Sequence, residues 1–501
     1  MMKPYKTLLF LLTVFFLLTL LALVFPDNGV RVSPGVYLKF PKIREILAPE
    51  KIEYADISRI IEQSTAASSD TVENSMIDEM IDSVSEMSVV IDTVRANADS
   101  LRTNIYPIEF PGNKNEILYP FFRQLPHLIK QDRLIRILHY GDSQIEGDRM
   151  TSYIRYRLQK RFGGGGPGLL PAIQPYPQFN FRQAASSNWY RYTVFGKPDT
   201  TLGHNRYGAM AGFMRFAAAN TDTSLVDTSR YNAWISFEPT GYGYRSAKKI
   251  NYLRLFYGHN SKPFITQLWI NEALHDAEII NATSECKYLD WTLDAVPEKI
   301  EFRFEGAASP DIYGVAMDKT PGIAVDNIPM RGSSGLVFSK MDRQHLKEMC
   351  KSLDVELVIM QFGGNVVPHI TDDYSYYGRW LDSQFRTIRS VLPGVPVILI
   401  GVADMSMKEN EKYVSYPNIE KIRDVMRKTA FENGHAYWDM YQAMGGKNSM
   451  PSWVFADPPL ASTDFIHFNR SGARIMAEMF YNSFIFEYGR FLSEKGRKTG
   501  D

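Results

Sequence analysis

Four short stretches carry residues whose types and spacing can do chemistry. Ser143 lies in "HYGDSQIEGD", which runs from His139 to Asp148. "IPMRGSSG" ends at Gly335, "MQFGGNVV" contains Asn365, and "STDFIHF" places Asp464 three residues before His467. A serine hydroxyl is a weak nucleophile and needs a base. A histidine serves as that base when a carboxylate fixes its tautomer and stabilises its cation. Asp464 is close enough in sequence to reach the ring of His467. The tetrahedral intermediate of acyl transfer needs hydrogen-bond donors where its oxyanion forms. The Ser143 amide, the Gly335 amide and the side-chain amide of Asn365 would supply them. Taken singly, each stretch reads equally well as a turn or a helix cap. It is the set, each member at a predicted strand end or loop, that points to acyl-serine chemistry.

The surrounding pattern supplies elements to hold them. Leu134, Ile135, Ile137 and Leu138 read as a buried strand, Gly141 permits a sharp turn, and Thr151 to Arg161 reads as a helix. Ser143 therefore sits on a strand-to-helix turn, and open α/β sheets bind ligands outside the carboxyl ends of their strands. Asp142 and Glu146 are expected to set the turn geometry and cap the following helix rather than touch substrate. After about residue 325, helices are expected at Met341–Leu353, Tyr377–Val391, Ile419–Asn433 and Gly472–Tyr488. They alternate with strands at Val355–Gln361, Val395–Gly401 and Ala436–Asp439. Such alternation implies a parallel sheet covered on both faces.

Between these two α/β pieces the texture changes. Ile300, Phe302 and Phe304 alternate with Glu301, Arg303 and Glu305, a period of two. "NYLRLFYG", "FITQLWIN" and "YLDWTLD" also read as strands, and a row of about seven short strands suggests a β-sandwich. The β-rich segment is read as an insertion, because the first α/β piece must contribute a strand to the later sheet. Tyr242, Tyr244 and Trp269 within it are candidates for stacking on sugars or for plain core. The run Gly163 to Gly166 lacks the lysine and hydroxyl residue of a phosphate-binding loop and is read as a flexible turn.

The N-terminus is apolar and uncharged from Thr7 to Phe25, preceded by Lys3 and Lys6. Its length suits a membrane-spanning helix, and the lysines favour a cytoplasmic N-terminus, with a cleaved signal peptide as the alternative. Residues 26–105 read as a stalk. Within it Ile77, Met80, Val84, Met87, Ile91 and Val94 form a short heptad-like stripe, read either as a dimerising helix or as a tether. The chain has 501 residues with 56 basic and 56 acidic side chains, so no global field attracts nucleic acid. Cys286 and Cys350 fit no metal spacing and read as two idle thiols.

The combination Gly141-Asp142-Ser143, a later glycine, Gly363-x-Asn365 and Asp464-x-x-His467 resembles the four blocks of the SGNH (GDSL-like) hydrolase superfamily. Within it, "GDSQIEGDRMTSYIRYRLQKRFGGGGPG" and "DMYQAMGG" ahead of "DFIHF" are similar to bacterial peptidoglycan O-acetylesterases. The resemblance implies a three-layer α/β/α, flavodoxin-like domain over 106–182 plus 326–490. An inserted β-sandwich covers 183–325, an anchor 1–25, and a tail 491–501. It also implies the roles Ser143 nucleophile, His467 base and Asp464 orienting carboxylate, with no metal or organic cofactor. Val366 follows the asparagine where an aspartate is common in the superfamily. Either Gly332 or Gly335 supplies the oxyanion amide; Gly335 is preferred because the superfamily donor usually follows a Ser- or Asn-containing turn. The expected activity is an exported, membrane-anchored esterase removing acetyl groups from a cell-envelope carbohydrate, periplasmic if the source is a Gram-negative bacterium. One alternative is an O-acetyltransferase using the same site with a membrane acyltransferase partner. The other is a non-catalytic carbohydrate-binding protein.

Overall fold

The computed structural model describes residues 4–26, 29–33, 36–38, 40, 42, 53–62, 106–197, 199, 202–217, 230–410 and 412–498. The heptad-like stripe between 77 and 94 lies outside the described residues. The chain divides into two units, Met1–Tyr54 and Ala55–Asp501. In the first, helix α1 (Pro4–Val24) contains an apolar stretch, Tyr5–Val24, of mean hydropathy 2.8. Its Thr13 and Thr19 hydroxyls donate to carbonyls four residues back, so neither polar group is left unpaired. Length and composition fit a membrane span or a signal sequence.

The second unit is built on a five-stranded sheet. Its strands are β1 (Leu134–Gly141), β2 (Gly322–Pro329), β3 (Val355–Gln361), β4 (Val397–Ile400) and β5 (Ala436–Trp438). The order is β2-β1-β3-β4-β5 and every pairing is parallel. This is the flavodoxin-like, doubly wound order. Alternation within each strand divides its side chains between two cores. Ile135, Ile137, Leu357, Ile359, Ile398 and Ile400 face one core, with Ile154 and Leu158 of α2 (Thr151–Phe162). Leu138, Tyr140, Val358, Met360, Val397 and Leu399 face the other. There they meet Leu346 of α3 (Arg343–Ser352), Phe385 of α4 (Ser375–Val391) and Met426 of α5 (Ile419–Glu432). The last helix, α6 (Arg470–Lys498), adds Phe480 and Phe484 to the first core. Both faces are thereby covered, which is why these strands read as near-continuous apolar runs.

The register fixes where the loops emerge. Gly141 pairs with Pro329 on one side and Gln361 on the other. The carboxyl ends of β1, β2 and β3 therefore end level. Ser143, the 330–335 turn and Asn365 leave the sheet at one edge. Gly141 is required there, because a Cβ would lie 2.8 Å from Ile145 Cδ1 and 3.0 Å from the carbonyl of Gln361.

The insertion is a β-sandwich. One sheet runs Ala273–Ile280, Phe264–Ile270, Ile300–Gly306, Tyr231–Pro239, Phe181–Ala185. The other runs Thr283–Thr292, Tyr252–Asn260, Asp311–Lys319, Gly212–Arg215, Tyr190–Thr193. Phe237, Leu255, Phe302 and Phe304 share the core between them. The alternation seen at 300–305 is obeyed, with Ile300, Phe302 and Phe304 buried. The boundaries differ from the expected 183 and 325. The segment read as a flexible turn instead opens a strand, Gly165–Leu170, paired with Asp311–Lys319. At Gly166 a Cβ would stand 2.0 Å from the Met317 carbonyl, so glycine lets two backbones meet. The sandwich strands thus span 165–319, and β2 returns the chain to the parallel sheet at Gly322. Arg136 of β1 ties the parts together: its buried guanidinium pairs with Asp318 of the sandwich and Asp326 of β2, each at 2.5 Å.

Candidate active site

The strand-to-helix turn after β1 holds each of its acids by a different bond. Asp142 accepts from the Gln144 N–H at 3.0 Å and caps the short turn that starts at Ser143. Its carboxylate also takes the Gly364 N–H, so it couples the serine turn to the loop after β3. Burial pushes the Asp142 carboxyl up to about 6, against the pull of the Gln144 amide. Glu146 caps nothing; it forms a two-pronged ion pair with Arg331, one contact of which is 2.9 Å. Asp148, buried, pairs with Arg155 of α2 at 2.7 Å and accepts from Asn180.

Ser143 and His467 meet across this edge, with Oγ 2.7 Å from Nε2. The other ring nitrogen, Nδ1, lies 2.7 Å from Asp464 Oδ2. A carboxylate only accepts, so Nδ1 carries the proton and Nε2 faces the hydroxyl with its lone pair. The loop preorganises the acid: Asp464 Oδ1 accepts the N–H groups of Ile466 and His467 at 2.9 and 3.0 Å. Burial raises the Asp464 carboxyl, but these amides and the His467 ring outweigh it and hold it below its ordinary value.

Two side chains absent from the sequence-level reading lock this geometry. Gln144 donates to the Ile466 carbonyl at 2.6 Å. Arg149 donates to three carbonyls: Glu146 at 2.9 Å, Phe468 at 2.9 Å, and Ser143 itself. Together they clamp the serine turn to the histidine loop. Gln144 adjoins the nucleophile and was visible as a neighbour; nothing in the sequence separates Arg149 from the other arginines.

The expected oxyanion donors fare differently. Asn365 is exposed beside the 330–335 turn and spends one N–H on the Ser333 carbonyl at 3.0 Å, leaving its second for a ligand. Gly335, the preferred glycine, sits in a closed setting. Its N–H already donates to Ser333 Oγ at 3.1 Å, and it is buried with a Cβ position 2.8 Å from the Phe362 ring. Gly332, the alternative, is exposed in the same turn at φ +75°, with open space around it. Of the aromatic candidates, Tyr242 is exposed and Tyr244 stacks on Tyr156, while Trp269 lies under Arg303 on the sandwich. Cys286 and Cys350 are both free, and burial pushes each thiol up to about 12.

A cavity of about 520 Å³ opens beside the serine turn, lined by none of Ser143, Asp464 and His467 themselves. Glu146, Gly147 and Arg149 of the serine turn line it, as do Tyr176, Phe179, Tyr244, Arg331 and Arg470. The volume is that of a small-molecule site.

Comparison with known proteins finds one family model and several solved structures. The sequence model of the GDSL-like lipase/acylhydrolase family matches residues 303–475, a span holding Gly332, Asn365, Asp464 and His467 but not Ser143. Among solved structures, a peptidoglycan O-acetylesterase is 19% identical with a TM-score of 0.54, covering 73% of this chain and 95% of its own. An acetyl xylan esterase is 15% identical at TM-score 0.25, covering 32% and 81%. A family two carbohydrate esterase from Clostridium thermocellum is 9% identical at TM-score 0.20, covering 50% and 91%. No curated protein matches the chain.

Proposed function

We propose, from the premise that the chain carries the fold and motif blocks of the SGNH (GDSL-like) hydrolase superfamily, that it is a serine esterase removing acetyl groups from a cell-envelope carbohydrate. In this reading it is exported and held at the membrane by α1. The observation that carries it is the unbroken chain Ser143 Oγ, His467 Nε2, His467 Nδ1, Asp464 Oδ2, with both links at 2.7 Å.

Ser143 Oγ attacks the acetyl carbonyl while its proton passes to His467 Nε2, and the carbonyl electron pair moves onto oxygen. The Ser143 amide, the free N–H of Asn365 and the Gly332 amide surround that oxygen; Gly332 replaces Gly335 because the Gly335 N–H is already bonded. Collapse breaks the ester bond, and His467 returns the proton to the departing sugar oxygen. Water then attacks the acetyl-serine through the same base, releasing acetate and restoring Ser143. Asp464 stays ionised and stabilises the imidazolium throughout. The side chains of His467 and Asp464 are 28% and 44% exposed, which gives water a path to the acyl-enzyme.

The test is release of nitrophenol from p-nitrophenyl acetate by the full chain in mild detergent, with Ser143→Ala beside it. A burst followed by steady turnover, both lost in the variant, is expected. A burst that stalls until a sugar acceptor is added would shift the reading to the acetyltransferase. Release that does not depend on Ser143 would end it.

A further inference from the structure

The chain is neutral overall, with 56 basic and 56 acidic residues, yet the space beside the serine turn is not. The cavity of about 520 Å³ is lined by Arg149, Arg331, Arg470 and Arg474 against one acid, Glu146. A second cavity, of about 290 Å³, is lined by Arg191, Lys197 and Arg331, with no acid. Tyr176 and Arg331 line both, so the two cavities meet at that pair.

The arginines fall into two groups. Arg149 spends its donors on three backbone carbonyls, and Arg331 is neutralised by Glu146. The others are not spent in this way. Arg470 has no carboxylate partner among the described residues; its guanidinium lies 3.7 Å from the ring centre of Phe179. Arg191 likewise has no carboxylate partner among the described residues, and sits over Phe195 at 5.4 Å. Arg474 meets Glu478 only at 3.8 Å. A guanidinium shelved on an aromatic face keeps its edge free, and that edge matches a carboxylate or phosphate with two parallel N–H groups. Concentrating like charge in a cleft is costly unless a ligand of opposite sign enters it.

We propose, resting on the esterase reading, that the two cavities form one groove for an acidic glycan, in which Arg470 and Arg191 bind carboxylate or phosphate groups on units beyond the acylated one. Tyr176, Phe179 and Tyr244 give the first cavity its apolar lining, while the arginines select for charge. A neutral acetylated polysaccharide would meet the same triad but leave both guanidiniums without a partner.

The test is binding to the full chain carrying Ser143→Ala, in mild detergent, using three fluorescent polymers on one backbone: dextran, carboxymethyl dextran and dextran phosphate. One or both charged polymers should bind more tightly than dextran, and added salt should weaken that binding. Each of Arg470→Gln and Arg191→Gln should lower the affinity by about tenfold, the worth of one charge-assisted contact. Arg470→Lys and Arg191→Lys should recover part of it, and thermal midpoints confirm folding. Preference for carboxymethyl dextran identifies a carboxylate ligand, and preference for dextran phosphate a phosphate. Equal binding of all three polymers, or a preference that survives both glutamine variants, overturns the proposal. Because this assay reads no catalysis, selective anion binding without Ser143-dependent ester cleavage would remove the esterase reading and keep the groove.

Discussion

Ser143 and His467 are 324 residues apart in the chain and 2.7 Å apart at Oγ and Nε2. What brings them together is the common ending of β1 with its neighbours and the loop that precedes α6. On the other side of the ring the Asp464 carboxylate holds Nδ1 at 2.7 Å. Asp464→Asn keeps the size of the side chain but can donate to Nδ1, and so stabilises the wrong tautomer. It should lower kcat on p-nitrophenyl acetate by about 10⁴-fold, with KM nearly unchanged. A loss of tenfold or less would mean that His467 does not act as the base through this pair.

Asn365 faces two tasks with one amide group. One N–H holds the Ser333 carbonyl, and the other is free for the oxyanion. Asn365→Ala should therefore reduce kcat by about 10² to 10³, the cost of one oxyanion donor. The two glycines of the 330–335 turn separate in the same assay. Gly335→Ala drives a Cβ to 2.8 Å from the Phe362 ring and should lower the thermal midpoint. Gly332→Ala meets no neighbour, and at φ +75° its cost is backbone strain at the proposed donor. Its effect should fall on kcat more than on the midpoint. The opposite pattern would return the donor role to Gly335.

The clamp between the serine turn and the histidine loop yields a third expectation. Arg149 contacts no reacting atom in this scheme; it positions Ser143 by holding the carbonyls of Ser143 and Phe468 together. Arg149→Met keeps the stem and removes the donors. It should lower kcat by about 10²-fold through misplacement of the nucleophile. A positioning role predicts that the pH at half-maximal kcat stays put, whereas an electrostatic role on His467 would move it. Arg149→Lys, with fewer donors and no planar fork, should recover only part of the rate.

How much of this could be read from the sequence follows from how local each feature is. The strand Val355–Gln361 was legible to the residue, because a run buried on both faces is apolar throughout. The alternation at 300–305 was legible because one face of that strand meets the sandwich core. Gly165–Leu170 was not, since "GGPGLL" has little strand propensity and is held by backbone approach to the strand containing Met317. Ser143, Asn365, Asp464 and His467 stood out by residue type and order. The surroundings of Gly332 and Gly335 could not, because Ser333 Oγ and the Phe362 ring, which set the two apart, are not encoded in a glycine pattern. The arginines of the groove are scattered from Arg191 to Arg474, and only the fold gathers them.

A buried acid away from the site governs how stability depends on pH. Glu487 of α6 is 2% exposed, beside Arg490 at 3.2 Å. Burial, only partly opposed by Arg490 and reinforced by Glu494, raises its carboxyl to about 7. The folded value is above the unfolded one, so the fold favours the protonated acid. That contribution is fully present below the unfolded value of 4.5 and is lost as pH rises through about 7. Glu487→Gln replaces the acid with a neutral group of the same shape and removes this dependence. Across pH 4.5 to 7.5 the variant should gain on the natural chain by at most about 3 kcal/mol, read from denaturant midpoints. The gain should appear at the alkaline end, with the variant equal or weaker near pH 4.5. Parallel pH profiles for the two chains would show that Glu487 is ionised in the fold at no cost, with Arg490 compensating in full.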